Sequence, residues 1–405
     1  MNFELSDEQR ALCDAARSAL SRHDTLTAAR AALEGEGLPD LWPTARDAGW
    51  PGLLIDERQG GAGLSALEAI LVLAECGRVL APVPLLGHLP ATAILDWGAG
   101  SEADLGKHLC KLSEGDARGA FAPARPPSDL VADWTGDPLR GHTRAPAPIT
   151  DRRNGKATVS GVVHWVPDLP DADLIVISAV DADGIPRAVL VEPTAMGVTI
   201  EAVSLYDGTR TLGHLRLDDA SARVVSGVGA EELQAAWFLA QALIAAESAG
   251  AVEASLELAV AYAKERYAFG RAIGSYQAIK HQLVEVLRLL EISRSLLYYA
   301  GWAHQDAPDE FPLAASSARV AAAKAHDYAS RALISVHGGI GATWEHDAPL
   351  YFRRAQLSRR LLGGASDAAD RVAGELLAQA STMNEAPSSV PNGAGVDPGS
   401  REVTA

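Results

Sequence analysis

Glu265-Arg266-Tyr267-Ala268-Phe269-Gly270-Arg271, followed by Gly274-Ser275-Tyr276-Gln277, is a short cationic stretch between two long helical patterns. Upstream, Leu233 to Ala263 is dominated by Ala, Leu, Ile and Val. Downstream, Ala278 to Leu290 resumes a helical spacing of apolar residues. Gly270 and Gly274 interrupt the pattern, so two arginines and Gln277 are displayed where the chain bends. One reading is a basic surface turn between bundle helices, with Arg266 offsetting the negative end of its helix dipole. The other is a clamp for a phosphate or pyrophosphate, which the planar fork of Arg donors suits.

Working outward, the chain falls into three textures. Residues 1–118 read as a helical domain, with apolar residues three and four apart in segments such as Leu67 to Leu80. Residues 119–228 carry short β-rich runs, Leu174 to Ile177, Ala188 to Val191 and Gly197 to Ile200, separated by Asp, Gly and Pro. They predict a small antiparallel barrel or sandwich. Residues 229–380 turn helical again, and 381–405, rich in Pro, Ser, Gly and Asn, reads as a disordered tail. The order helical, β, helical argues against a Rossmann fold, and Gly339-x-Gly341 lacks the third glycine of a dinucleotide fingerprint.

Composition narrows the function. At 405 residues, several packed units are expected, and 48% hydrophobic with 21% charged residues is ordinary for a globular protein. A net charge of −17 argues against a nucleic-acid partner. Cys13, Cys76 and Cys110 form no CxxC pair, so neither a disulfide framework nor a zinc site is expected, in keeping with a cytoplasmic location. The N-terminus MNFELSDEQR has no apolar signal core. Glu247, Glu253 and Glu257 interrupt the one stretch that resembles a membrane span, so a buried bundle helix is expected there. No Gly-x-Ser-x-Gly elbow or HExxH motif points to a hydrolase or a metal.

ERYAFGRAIGSYQAIKH (265–281) is similar to the acyl-CoA dehydrogenase signature, in which an Arg, a Phe, a Gly and a later Gln meet the FAD of the neighbouring subunit. His337-Gly338-Gly339-Ile340-Gly341 resembles that family's second flavin segment, with Ser335 where a Gln is usual. Gly49-Trp50-Pro51-Gly52 and Glu57 to Leu64 resemble its N-terminal stretches. The resemblance implies an N-terminal α-domain, a β-domain and a C-terminal four-helix bundle. It implies FAD as cofactor, with Arg266, Phe269 and Gln277 as contacts to an adjacent protomer's FAD and Gly338 and Gly339 approaching its adenosine diphosphate portion. The resemblance further implies that Ser128 keeps part of a flavin-wrapping loop and that Trp165, in Gly161 to Asp168, falls beside the flavin, although a Trp on a strand is also ordinary core. Asp207-x-Thr209-Arg210 resembles another stretch of the same domain, where Arg210 is either part of the site or a solvated charge.

The implied reaction is α,β-dehydrogenation of an acyl-CoA thioester, which needs a base for the α-proton, a hydride acceptor and donors for the developing enolate. In the family a Glu occupies one of two equivalent positions, which fall here at Gly363 and near Ala240; both lack it. Glu247, two turns after Ala240 and set among Leu243, Ile244, Ala246, Ala249 and Ala251, is the candidate catalytic base if burial raises its pKa. The alternative is a core Glu paired with a basic side chain. Two arrangements follow: a homodimer or homotetramer with its own base, or a heterotetramer in which a second chain of the family supplies it. The LLGGASD ending (361–367) resembles subunits of the bacterial heterotetrameric branch that acts on bulky thioesters such as steroid side chains. An electron-transfer flavoprotein is a further partner in keeping with the resemblance.

Overall fold

The computed structural model describes residues 4–100, 103–123, 135–136, 144–145, 148–153 and 156–385. Six helices come first: α1 (Asp7–Leu20), α2 (Thr25–Leu33), α3 (Trp42–Asp47), α4 (Ala66–Arg78), α5 (Leu85–Ala99) and α6 (Ala103–Ser113). Among the described residues nine strands follow: β1 (Gly119–Ala122), β2 (Thr135–Gly136), β3 (Arg144–Ala145), β4 (Ile149–Arg153), β5 (Lys156–Pro167), β6 (Leu174–Val180), β7 (Pro186–Val191), β8 (Val198–Ala202) and β9 (Leu212–Val224). The last part holds α7 (Ala230–Glu265), the short strands β10 (Tyr267–Ala268) and β11 (Arg271–Ala272), α8 (Gln277–Asp306), α9 (Phe311–His337), α10 (Ala348–Ser358) and α11 (Gly364–Glu385). The helix α11 runs past the boundary expected at 380; the rest of the expected tail, 386–405, lies outside the described residues.

Local chemistry sets several boundaries. Ser65 caps α4 by accepting from Leu67 N–H at 3.1 Å, while Glu68 reaches back to Ser65 N–H at 3.0 Å. Glu232 does the same for Gly229 at the start of α7. With 36 residues, α7 spans about 54 Å. It is apolar enough to cross a bilayer by composition, yet 94% of its most apolar window is buried inside the protein. It packs on α4, α8 and α9, and one core of Trp50, Leu73, Leu86, Phe238, Leu243, Leu290 and Phe311 runs continuously from the first helices into the bundle.

The β-region closes on itself through β6, β4, β5, β9 and β7, with β1 added beside β6 and β8 beside β9. Alternate residues such as Val163, Ile175, Ile177, Val189 and Leu215 fill its interior. The barrel is not wholly antiparallel as the short runs suggested: β1 and β4 both pair with β6 in parallel.

His88 joins these layers. Its Nε2–H donates to Pro51 O at 3.1 Å, its Nδ1 accepts from Gly119 N–H at 3.0 Å, and its ring meets Trp42 edge-on at 4.9 Å. Burial pushes its pKa down to about 4, against the pull of the Pro51 carbonyl. Because the folded pKa is depressed, the contribution is complete above pH 6.5 and lost as pH falls toward 4, by roughly 3 kcal/mol. Urea midpoints should fall over that window, and His88→Gln should flatten the fall; an equal fall in both proteins would contradict it.

Candidate functional site

Arg266, at the C-terminus of α7, keeps one helical bond, donating its N–H to Tyr262 O at 2.8 Å, while its backbone turns extended. Strands β10 and β11 then pair in register, joined by Phe269 at φ 52° and Gly270 at φ 81°. Two left-handed central residues make a primed hairpin turn, which Gly accepts readily and Phe does not. Phe269 is nevertheless 97% exposed and gains no packing within the chain for that strain. Tyr276 braces the corner: its OH donates to Ala268 O at 3.0 Å, and the Arg271 guanidinium lies 4.0 Å from its ring centroid. The side chains of Arg266 and Gln277 are exposed, and neither has a hydrogen-bond partner among the described residues. A rigid corner therefore presents an aromatic ring, a guanidinium and an amide outward.

The segment at Gly338 and Gly339 is held beside it. Gly338 ends α9 at φ 62°, ψ −135°, a conformation reserved for glycine, and its N–H donates to Ile334 O at 3.0 Å. Both glycines are exposed, and a Cβ added to either would meet nothing within 4 Å. His337 stacks at 4.2 Å on Tyr262 from the last turn of α7, and its ring lies tilted at 50° against His346, also at 4.2 Å. The structure thus brings the two sequence motifs together. Trp165 is elsewhere: half-buried at φ 60° on β5, it packs against the main core, and no hydrogen bond or ring contact joins it to either motif. Ser128 lies outside the described residues.

The two positions expected for a catalytic Glu converge. Ala240 is 1% exposed on α7. One residue on, Gln241 Nε2 donates to Leu362 O at 2.8 Å, next to Gly363. Arg319, fully buried on α9, donates to Gln241 Oε1 at 3.1 Å and Leu361 O at 3.1 Å, and also to Ser358 O. The loop takes three successive left-handed residues, Leu362, Gly363 and Gly364. A side chain on Gly363 would start 3.4 Å from the Trp237 ring and 3.0 Å from Asp367 Oδ2. The pinned loop carries no carboxylate at either expected position. It does bring Asp367 beside the gap, a residue the sequence analysis passed over; its one signal was a carboxylate four residues after Gly363.

Glu247 is not in that place. It is buried at 4% exposure and ion-paired with Arg210, with Arg354 Nη1 at 3.9 Å. Arg354 in turn donates to Asp207 Oδ2 at 2.9 Å and to Thr209 O and Oγ1, each at 2.6 Å. Asp168 closes the cluster, accepting from Gly87 N–H at 2.8 Å; burial pushes its pKa up to about 6 against the pull of Arg210. The structure therefore counts against Glu247 as the base: its oxygens face guanidinium groups that tie the barrel to the bundle. Arg210 is likewise no solvated charge.

A helical domain, a closed barrel and a helical bundle, with a glycine turn beside an outward aromatic hairpin, define the architecture that the comparisons with known proteins match. The sequence models for the N-terminal and C-terminal domains of acyl-CoA dehydrogenases match residues 6–116 and 234–376. Acyl-CoA dehydrogenase IpdE2 of Mycobacterium tuberculosis is 31% identical over 373 residues, covering 91% of this chain and 98% of that protein. Among solved structures, the Tcur3481-Tcur3483 steroid ACAD has a TM-score of 0.81 at 28% identity, covering 93% of this chain and 99% of that one. The ChsE4-ChsE5 complex of Mycobacterium tuberculosis has a TM-score of 0.81 at 25% identity, with the same coverage. The chain belongs to the acyl-CoA dehydrogenase family.

Proposed function

We propose that this chain takes part in the FAD-dependent α,β-dehydrogenation of an acyl-CoA thioester, within an oligomer in which one protomer's hairpin completes another's cofactor site. The observation that carries this is the strained, fully exposed Phe269 between the unpartnered Arg266 and Gln277. Such strain, held here by the Tyr276 brace, clusters at ligand clamps. These residues fit FAD: Arg266 suits a phosphate oxygen, and the open Gly338-Gly339 backbone leaves room for a pyrophosphate. Arg266, Phe269, Gln277, Gly338 and Gly339 would hold it from one protomer and Trp165 from the other. Bound there, FAD supplies the hydride acceptor that no side chain provides. The protein contributes orientation and a dry wall around the α and β carbons. Reoxidation by an electron-transfer flavoprotein, in the cytoplasm, fits the same reading.

A second reading is favoured by one observation, the absence of a carboxylate at both Ala240 and Gly363. Here the chain completes the FAD site, and a second family chain donates the base that removes the α-proton. Purifying the chain alone and adding acyl-CoA anaerobically separates the readings. A yellow protein that bleaches has its own base, with Asp367→Asn as the next variant; one that bleaches only with a partner chain supports the second reading. In either case Phe269→Gly should lower FAD retention by about tenfold while raising stability by a few tenths of a kcal/mol, because the left-handed strain is relieved. Undiminished FAD retention in that variant would sink the clamp.

A further inference from the structure

Between Val163 and Val166, strand β5 carries one residue more than the facing part of its partner β9. Val163 pairs with Leu215 and Val166 with Gly213, so His164 and Trp165 together oppose His214 alone. Such a bulge leaves a backbone group without its ladder partner. Here the Trp165 N–H donates to the side chain of the opposing residue, His214 Nδ1, at 3.3 Å. A backbone N–H only donates, so this Nδ1 carries no proton. The Nδ1 of His164, 3.2 Å from it, must then be the second donor. The His214 ring stands edge-on to both neighbours, 4.6 Å from His164 and 4.9 Å from Trp165, each at 82°. The single lone pair of one imidazole nitrogen is thus shared by both residues of the bulge in a three-centre contact, and Trp165 is held at φ 60°, a conformation a large side chain rarely adopts.

We propose that His214 is a positioning residue: as a neutral imidazole it locks the His164-Trp165 bulge and thereby sets the pose of the Trp165 ring against the flavin. This rests on the reading of Trp165 as a flavin neighbour. The surroundings keep the imidazole neutral. Burial lowers the His214 pKa, and the cross-strand Glu201 on β8 raises it less. From β5 the facing titratable group is His164. The turn Leu169–Asp171 places Leu169 on Gly213 and leaves Asp171 exposed. A proton on His214 Nδ1 would remove the acceptor for both donors at once, so the bulge should loosen in acid.

Hydrogen exchange of the Trp165 amide in the full chain tests the lock without any flavin. In His214→Leu that amide should exchange about tenfold faster, the loss of one hydrogen bond, whereas His214→Asn, which keeps an acceptor, should stay within about threefold of the parent. Equal exchange in all three overturns the proposal. So does a protonated Nδ1 on His214 in the 15N spectrum of the histidine-labelled parent, a measurement that does not depend on the Leu variant folding. The FAD-loaded protein or complex tests the pose: flavin absorption and fluorescence should shift in both Trp165→Ala and His214→Leu. A shift in the first alone overturns the positioning role of His214. No shift in Trp165→Ala overturns the flavin-neighbour reading on which the pose depends, and the exchange data then judge the lock separately.

Discussion

Glu247→Gln should lose roughly 3–5 kcal/mol of stability while leaving turnover per folded molecule unchanged. The side chain is buried against Arg210 from the barrel and lies near Arg354 from α10. An uncharged amide would leave Arg210, itself only 7% exposed, without its ionic partner in a place water does not reach. Arg354 would suffer less, because Asp207 and Thr209 still accept from it. A urea midpoint well below the parent's at pH 7 would register the loss. Replacing both Glu247 and Arg210 by apolar residues should recover much of it, since the cost lies in the uncompensated charge. The opposite pattern, a large loss of turnover with an unmoved midpoint, would return Glu247 to the active site.

That contrast marks where sequence stopped being informative. The run of Ala, Leu and Ile around Glu247 showed that it was buried, because periodicity reports on one helix at a time. What it faced was decided by Arg210, 37 residues earlier, and by α10 far downstream; no local pattern connects them. The corner at 265–277 was legible because its signals are local, a helix stop and two glycines, although the short strand pair was not. Even there, the left-handed Phe269 was not, since propensity alone would reject it. The barrel was legible as one of two forms, barrel or sandwich, but its parallel pairs were not, since they depend on which strands meet across the sheet. The bulge at His164 and Trp165 was hidden for the same reason: one extra residue is visible only against the partner strand. The missing carboxylates at Ala240 and Gly363 were legible from the family resemblance. Their convergence, through Gln241 and Arg319, needed the fold.

Gly250→Ala should destabilise the protein by roughly 2–3 kcal/mol net, although Ala is the better helix former by about 1 kcal/mol. Helices α4 and α7 cross with their backbones in contact. A Cβ on Gly250 would overlap the Ala74 carbonyl, 2.8 Å from its carbon and 3.0 Å from Arg78 N; one on Gly77 would lie 2.6 Å from the Glu247 carbonyl carbon. These are backbone atoms inside regular helices, so no flexible side chain can swing away and the helices must part. Parting them loosens the packing of Ile70 and Leu73 against α7. It also displaces Glu247, whose own carbonyl forms the crossing, away from Arg210. Gly250→Ala and Glu247→Gln should therefore cost less together than the sum of the two alone. Gly374 on α11 supplies the control: it is exposed, a Cβ there would meet nothing within 4 Å, and Gly374→Ala should stabilise by about 0.5–1 kcal/mol. Denaturation midpoints that move in opposite directions for the two Gly→Ala variants would establish that the crossing is set by backbone contact. A Gly250→Ala midpoint at or above the parent's would show that α4 and α7 have room to spare.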